Sequence, residues 1–230
     1  MYYPLIKPAV FIKRPNRFIA QVLVDGREET VHVKNTGRCR ELLIPNAQVI
    51  LEESQNPKRK TKFSLIAVYK NGLLVNMDSQ APNRVIWDGI VAERIDEIKG
   101  LKVLKREVTF GQSRFDLYFE TFNGQKGFVE VKGVTLEEQG IAMFPDAPTL
   151  RGTKHVREMI QAVRVGYLGF IIFLVQMKGI KSFTPNRLMD PHFSTALKEA
   201  EKQGVKILVY DANVTPHEIN LGERIEYSLI

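Results

Sequence analysis

The sequence predicts an α/β (α+β) chain of two units, an OB-like β-barrel over residues 1–80 followed by a mixed, helix-covered sheet over residues 81–230. Three observations lead there. Short β-type runs crowd the first third, the apolar spacing turns helical around Gln80-Ala81-Pro82-Asn83, and strands then alternate with helices to the end. With 230 residues and 44% hydrophobic composition, the chain can bury its cores without disulfide or metal staples.

In the first unit the runs AVFIK, RFIAQVLVDG, TVHVK, AQVILEE and KFSLIAVYKNGLLVNMD read as about five strands, with Asn71-Gly72 as a hairpin turn. Between them GRCRELLIP (Gly37 to Pro45) reads as one or two helical turns closed by proline, which suits a small closed or half-closed barrel. In the second unit Val85, Ile86, Ile90, Val91 and Ile95 recur at helical spacing, with Asn83 as the expected N-cap. Strands follow near Lys102–Thr109, Arg114–Glu120 and Lys126–Gly133, then a long loop and a helix from about Arg151 to Val165. The apolar strand Tyr167–Val175, a helix near Pro191–Gln203 and a strand Val205–Tyr210 complete the reading. Helix, three strands, helix, strand is the order of a restriction-endonuclease-like core, in which an antiparallel hairpin lies beside strands joined by helical crossovers.

The chemistry-bearing signal is SRFDLYFE followed by FVEVKG, with Asp116 on one strand and Glu130-x-Lys132 on the next, the PD-(D/E)xK pattern of metal-dependent nucleases. Side chains two apart on a strand share a face, so Glu130 and Lys132 are neighbours while Val131 packs into the opposite layer. Two carboxylates supply hard oxygens for Mg²⁺ or Mn²⁺, and an ammonium beside them can position a water and neutralise developing charge. The [DE]-x-K string alone is unspecific, because Glu97-Ile98-Lys99 also fits; that copy is expected to close a helix. One geometric condition attaches to the site. A two-residue turn at Asn123-Gly124 would set Asp116 opposite Val131 and away from Glu130, so the site requires an odd-length connection or a bulge. The bland reading is an ion pair on a sheet edge.

Downstream, Arg151, Lys154 and His155 lie within one turn at a helix start, where a phosphate can bind; a solvated first turn is the alternative. Asp146 is a turn residue, a cap or an added ligand, Glu93 a further candidate ligand, and His155 a structural or an acid/base histidine. In the first unit Lys13, Arg14, Arg17, Arg38, Arg40 and the run Lys58-Arg59-Lys60-Thr61-Lys62 would make a phosphate-tracking groove if they share a face. Phe11, Phe18 and Phe63 can stack bases but at alternating strand positions read more readily as core.

With 33 Lys and Arg against 26 Asp and Glu the formal charge is +7, which favours polyanionic partners, nucleic acid first; a solvated cationic face is the bland reading. The single cysteine, Cys39, excludes an internal disulfide framework and a cysteine-based zinc site, and fits a reducing cytoplasm. Three prolines and four basic residues interrupt the first eighteen residues, so they do not read as a signal peptide, and Tyr167–Val175 is far shorter than the roughly 20 residues a spanning helix needs.

Taken together, FIKRPNRF, NTGRCRELLIP, APNR, REVTFGQSRFDLYFE, EVKGVTL, FPDAPTLRGTKH and GYLGFIIFLVQ resemble the sugar fermentation stimulation protein A family, in order and along nearly the whole chain. That resemblance implies an OB-like domain followed by a nuclease-like domain, DNA as partner with RNA also possible, and Asp116, Glu130 and Lys132 on the metal-site positions. Asn46 departs from the glycine expected after Pro45. Two functions stay open: a Mg²⁺- or Mn²⁺-dependent phosphodiester-cleaving enzyme, and a non-cleaving, weakly sequence-specific DNA-binding regulator of sugar metabolism. A sugar-binding role has only the family name behind it.

Overall fold

A computed structural model describes residues 1–35 and 37–229. The first unit holds β1 (Ile6–Asn16), β2 (Ile19–Val24), β3 (Arg27–Val33), β4 (Gln48–Glu53), β5 (Phe63–Lys70) and β6 (Leu73–Asn76). They form a six-stranded sheet in the order β3-β2-β1-β4-β5-β6, and a parallel pairing of β3 with β5, His32 to Ser64 and Val33 to Leu65, closes it into a barrel. Closure removes the open edges that a small sheet would otherwise present.

The second unit opens with α1 (Ala81–Val91) and continues through β7 (Leu101–Phe110), β8 (Ser113–Thr121), β9 (Lys126–Val134), β10 (Leu136–Glu138), β11 (Ile141–Phe144) and α2 (Leu150–Arg164). It ends with β12 (Leu168–Val175), β13 (Ser182–Pro185), α3 (Pro191–Lys202), β14 (Lys206–Thr215), β15 (Glu218–Arg224) and β16 (Glu226–Tyr227). The main sheet runs β15-β14-β12-β9-β8-β7, with β9, β12 and β14 parallel and the flanking pairs antiparallel. Alternation along β12 sorts its two faces. Ile171, Phe173 and Val175 join the core with Val156, Met159 and Ile160 of α2 and Phe193 and Leu197 of α3, while Phe170, Ile172 and Leu174 join Val85, Ile86 and Ile90 of α1. The mixed, helix-covered sheet is the one the sequence predicts.

Several local expectations are corrected. Gly37 to Pro45 holds no helix among the described residues. The amides of Leu42 and Leu43 both donate to the Cys39 carbonyl, a single helical turn, the lower bound of the expectation, that is not continued into a helix and buries the two leucines. Asn46 sits in the left-handed region at φ 70°, which asparagine tolerates in place of glycine. Asn83 is not the cap of α1: the helix starts at Ala81 behind Gln80, with Pro82 in its first turn. Glu97 to Lys99 closes no helix, since α1 ends at Val91; Glu97 pairs with Arg224 and Lys99 with Asp96. The long loop after Glu137 contains the hairpin β10–β11, which joins β13 and β16 in a second sheet of four short strands. Strand β14 runs on past Tyr210 and turns back as β15.

A buried polar seam ties the barrel to the main sheet. Asn76 gives its amide to the Gln176 carbonyl (2.9 Å) and receives the Gln176 Nε2 on its Oδ1 (3.0 Å). The same Nε2 donates to the Asp78 carbonyl (3.1 Å), and Asp78 takes Lys34 Nζ (3.1 Å) beside the Tyr3 hydroxyl (3.4 Å). Above the seam Lys70 Nζ reaches Glu137 Oε2 at 2.9 Å. Gln176 is 2% exposed and its Nε2 is the donor that crosses to both Asn76 and Asp78, so its truncation removes two buried hydrogen bonds between the units. Gln176→Ala is expected to lower stability by about 1–3 kcal/mol, read as a shift in the urea midpoint at unchanged slope. An unshifted midpoint would show that the two units do not depend on this seam.

Candidate metal centre

The site is built where β8 and β9 part. The two strands pair Glu120 with Lys126, Phe119 with Gly127, Tyr118 with Phe128 and Leu117 with Val129. That register is the odd-length connection the site requires, and its next step sets Asp116 level with Glu130. The turn is wider than Asn123-Gly124 alone would make it, because the Thr121 amide donates to the Gln125 carbonyl and the Thr121 hydroxyl receives the Gln125 amide (3.0 Å).

Past Leu117 the Asp116 carboxylate replaces a rung of the ladder. Its Oδ2 accepts the Val131 amide (2.8 Å) and its Oδ1 accepts Asn83 Nδ2 from α1 (2.8 Å). The neighbouring strand is bent at this level: Glu107, which the register of β7 and β8 sets across from Asp116, has φ 55°. Accordingly Phe115 and Leu117, which would share one face of a regular strand, pack into different cores.

Glu130 is 3% exposed. Its Oε1 takes Lys132 Nζ at 2.5 Å and His155 Nδ1 at 2.6 Å, whereas its buried Oε2 has no hydrogen-bond partner. Burial alone would push the Glu130 carboxyl up, but the hydrogen bond from His155 and the charge of Lys132 outweigh it and hold the group below the ordinary carboxylate range. Asp116 goes the other way. Burial and then the charge of Glu130 push its carboxyl up, against the Val131 amide, Asn83 and Lys132.

These residues fit a hard divalent cation. An unpartnered buried carboxylate oxygen is costly unless a cation or a proton completes it, and Asp116 adds oxygens at the same level. Among the described residues no three His, Cys, Asp or Glu side chains gather as a self-sufficient metal cage. An ion here would draw the rest of its shell from water, backbone and phosphate oxygens, as Mg²⁺ commonly does.

Other candidates fall in different places. His155 does not stand on a phosphate-binding surface: it is 7% exposed and spent on Glu130. Arg151, one turn ahead on the same helical face, is exposed, and exposed Lys154 reaches the Gln112 carbonyl at 2.9 Å. Thr149 caps α2 through Gly152, so Asp146 is not the cap; it borders the cleft between the units, near Gly37. Glu93 lies on the surface after α1, beside Lys99 and Leu101 in a separate depression. Asn83 was missed as a site residue because its helix-start position resembles an ordinary cap.

In the barrel, Lys13, Arg14, Arg17, Arg38 and Arg40 do share a groove, of about 580 Å³. Arg14 is less available than predicted, since its guanidinium donates to the carbonyls of Arg17, Asn35, Gly37 and Arg38. Arg59 likewise turns inward to Thr61 and Ser64, leaving Lys58 and Lys60 exposed on the same loop. Phe11 and Phe63 are core, but Phe18 is 48% exposed with the Arg17 guanidinium 4.9 Å from its ring centroid.

The depressed Glu130 group fixes a pH signature. A carboxyl titrating below its unfolded value of about 4.3 contributes stability that is complete above that pH and lost as pH falls through the folded value. The stability gap between wild type and Glu130→Gln, from urea unfolding at a series of pH values, is therefore expected to be widest near neutrality and to close in acid. A gap that stays constant down to pH 3 would assign the loss to packing instead.

Comparison with known proteins agrees on one lineage. Residues 12–77 match the family model described as SfsA N-terminal OB domain, and residues 80–218 match the Sugar fermentation stimulation protein RE domain. A sugar fermentation stimulation protein homolog from Alkaliphilus oremlandii is 60% identical over 98% of both chains. One from Desulfitobacterium hafniense is 52% identical over 100% of this chain and 99% of its own. The solved structure of Pyrococcus furiosus SfsA in complex with Ca²⁺ superposes with a TM-score of 0.90 at 29% identity, covering 99% of this chain and 98% of that one.

Proposed function

The chain belongs to the sugar fermentation stimulation protein family, and from that premise and the geometry at Glu130 we propose that it is a nucleic-acid-binding protein that hydrolyses phosphodiesters at Asp116, Glu130 and Lys132. The observation that carries this reading is the buried, unpartnered Oε2 of Glu130 level with Asp116. A non-cleaving regulator would leave that oxygen unexplained. The proposed cofactor is Mg²⁺ or Mn²⁺, and the Ca²⁺ complex of the Pyrococcus furiosus protein supports a divalent ion at this kind of chain.

Each residue has a separable task. Asp116 and Glu130 would hold the ion, which when bound supplies Lewis-acid polarisation of the scissile phosphate. Lys132, held at Glu130 Oε1, keeps its ammonium at the reacting centre to orient the attacking water and to balance charge on the phosphoryl oxygens. Asn83 and the Val131 amide fix both oxygens of Asp116, so the carboxylate cannot swing away from the phosphate. Arg151 and Lys154, at the start of α2, would take the flanking phosphates.

DNA is the proposed substrate, bound with little sequence preference, since phosphate contacts position a chain without reading it. RNA remains within the same chemistry. Residues 1–80 and 81–230 are proposed as a binding unit and a cleaving unit. The buried, unpaired Cys39 suits a reducing cytoplasm, and among the described residues no helix is long and apolar enough to cross a membrane.

Cleavage of labelled single- and double-stranded DNA and RNA with Mg²⁺ or Mn²⁺ tests this directly. Asp116→Ala is expected to lose both activity and metal binding by calorimetry. Lys132→Ala is expected to keep the metal and lose roughly 100-fold or more in kcat. Unchanged metal affinity in Asp116→Ala would remove the ion from this site, and intact nucleic acid under every condition would remove the enzyme.

A further inference from the structure

The barrel groove has a composition that a duplex cannot exploit. Its cationic walls are Lys13, Arg17, Arg38 and Arg40, among the described residues no carboxylate lines it, and its apolar lining is Phe11, Ile12, Leu43 and Pro45. Among the described residues the side chains of Arg38 and Arg40 make no ion pair or hydrogen bond. Uncompensated cations beside an apolar floor call for a ligand that carries both phosphates and flat apolar faces. Next to the groove-lining Arg17, Phe18 offers a half-exposed ring with the Arg17 guanidinium 4.9 Å from its centroid, a platform of the kind on which bases stack.

In a duplex the base faces are buried against one another and only edges and backbone meet a protein. A single strand presents both faces and backbone. The groove also adjoins a cleft lined by chain neighbours of the candidate metal residues. Gly37 lines the groove and the adjoining cleft between the units, and that cleft is bordered by Pro82 and Gly133. Pro82 precedes Asn83, which holds Asp116, and Gly133 follows Lys132. At the junction the Asn35 and Asp146 side chains come so close to Gly37 that a β-carbon there would meet their oxygens at 2.9 Å, so only glycine fits beside them.

We propose that the barrel groove binds a single-stranded segment of nucleic acid, with phosphates on Arg38 and Arg40 and a base stacked at Phe18, and that this segment runs past Gly37 into the cleft beside Asp116. The inference rests on the proposed phosphodiester chemistry for its continuation into the cleft, but not for binding. It makes single-stranded or partly unpaired nucleic acid the substrate class.

Fluorescence anisotropy of the full chain with a short oligo(dT) and with a duplex of the same length, in EDTA and at two salt concentrations, separates the two. Oligo(dT) is expected to bind more tightly than duplex. Phe18→Ala is expected to weaken oligo(dT) roughly five-fold or more while leaving duplex affinity unchanged. Arg38→Ala/Arg40→Ala is expected to weaken oligo(dT) and to reduce the salt slope by about one to two, each residue being exposed and removable without touching the core. Equal or tighter duplex binding, or wild-type affinity in both variants, overturns the proposal. Because EDTA removes the ion, a chain that binds single strands but cleaves nothing would uphold this inference while failing the nuclease reading.

Discussion

A carboxylate taken out of water at Glu130 is the constraint around which the second unit is arranged. An ionised carboxyl with 3% exposure is tolerable only if charge and hydrogen bonds replace its hydration. The fold meets this from two directions. Strand spacing brings Lys132 from two residues along β9, and α2 brings His155 from the layer that packs over the same face. Both converge on Oε1. The compensation is therefore lopsided, sufficient to hold the group ionised yet leaving Oε2 bare, and that bare oxygen is what the proposed metal site draws on.

Asp116 depends on a different set of elements. Its partner Asn83 stands on α1, whose start follows directly from Asp78, and Asp78 is fixed by Lys34 and by the Gln176 amide. The seam between barrel and sheet thus reaches the candidate metal residue Asp116 through a few residues of chain. Gly133 belongs to the same linkage, because a β-carbon there would come within 2.5 Å of Gln176 Oε1 and 2.7 Å of Pro82. Close approach of β9 to the seam lets one strand serve the site at Glu130 and the contact between units three residues later.

How much of this was legible depends on the range of each interaction. Glu130 and Lys132 were readable because period two is a local property of a strand, and the barrel runs because alternation is local too. The parity of the turn was not. Asn123-Gly124 is a strong two-residue signal, and it yields here to the Thr121 hydroxyl and its bonds with Gln125, a preference decided by side-chain geometry. Asn83 looked like a cap because the residues that cap helices also make distant hydrogen bonds, and its partner lies 33 positions away. Strands as short as β10 and β11 carry too few residues for any period to show, so they were expected as loop. His155 reads in sequence either with its basic neighbours at a phosphate-binding helix start or as a structural histidine; it belongs with the buried residues because helical spacing turns it inward while Lys154 stays out.

The charge of the chain divides along the same lines. A formal surplus of +7 suggests a broad cationic surface, yet the guanidinium of Arg14 is consumed by four backbone carbonyls, and Arg59 and Lys34 are also engaged inside the structure. Exposed cations remain in several places: Arg17, Arg38 and Arg40 about one groove, Lys58 and Lys60 on the loop that Arg59 ties to Ser64, Arg151 at the start of α2, and Lys102, Lys105, Arg157 and Lys206 elsewhere on the second unit. Ser64 pairs with His32, and His32 with Ile19, so that loop is anchored two strands from Phe18. Cations spent on carbonyls shape the groove, and those left free stand exposed on its walls. Net charge alone cannot tell the two apart, whereas the pattern of unspent side chains can.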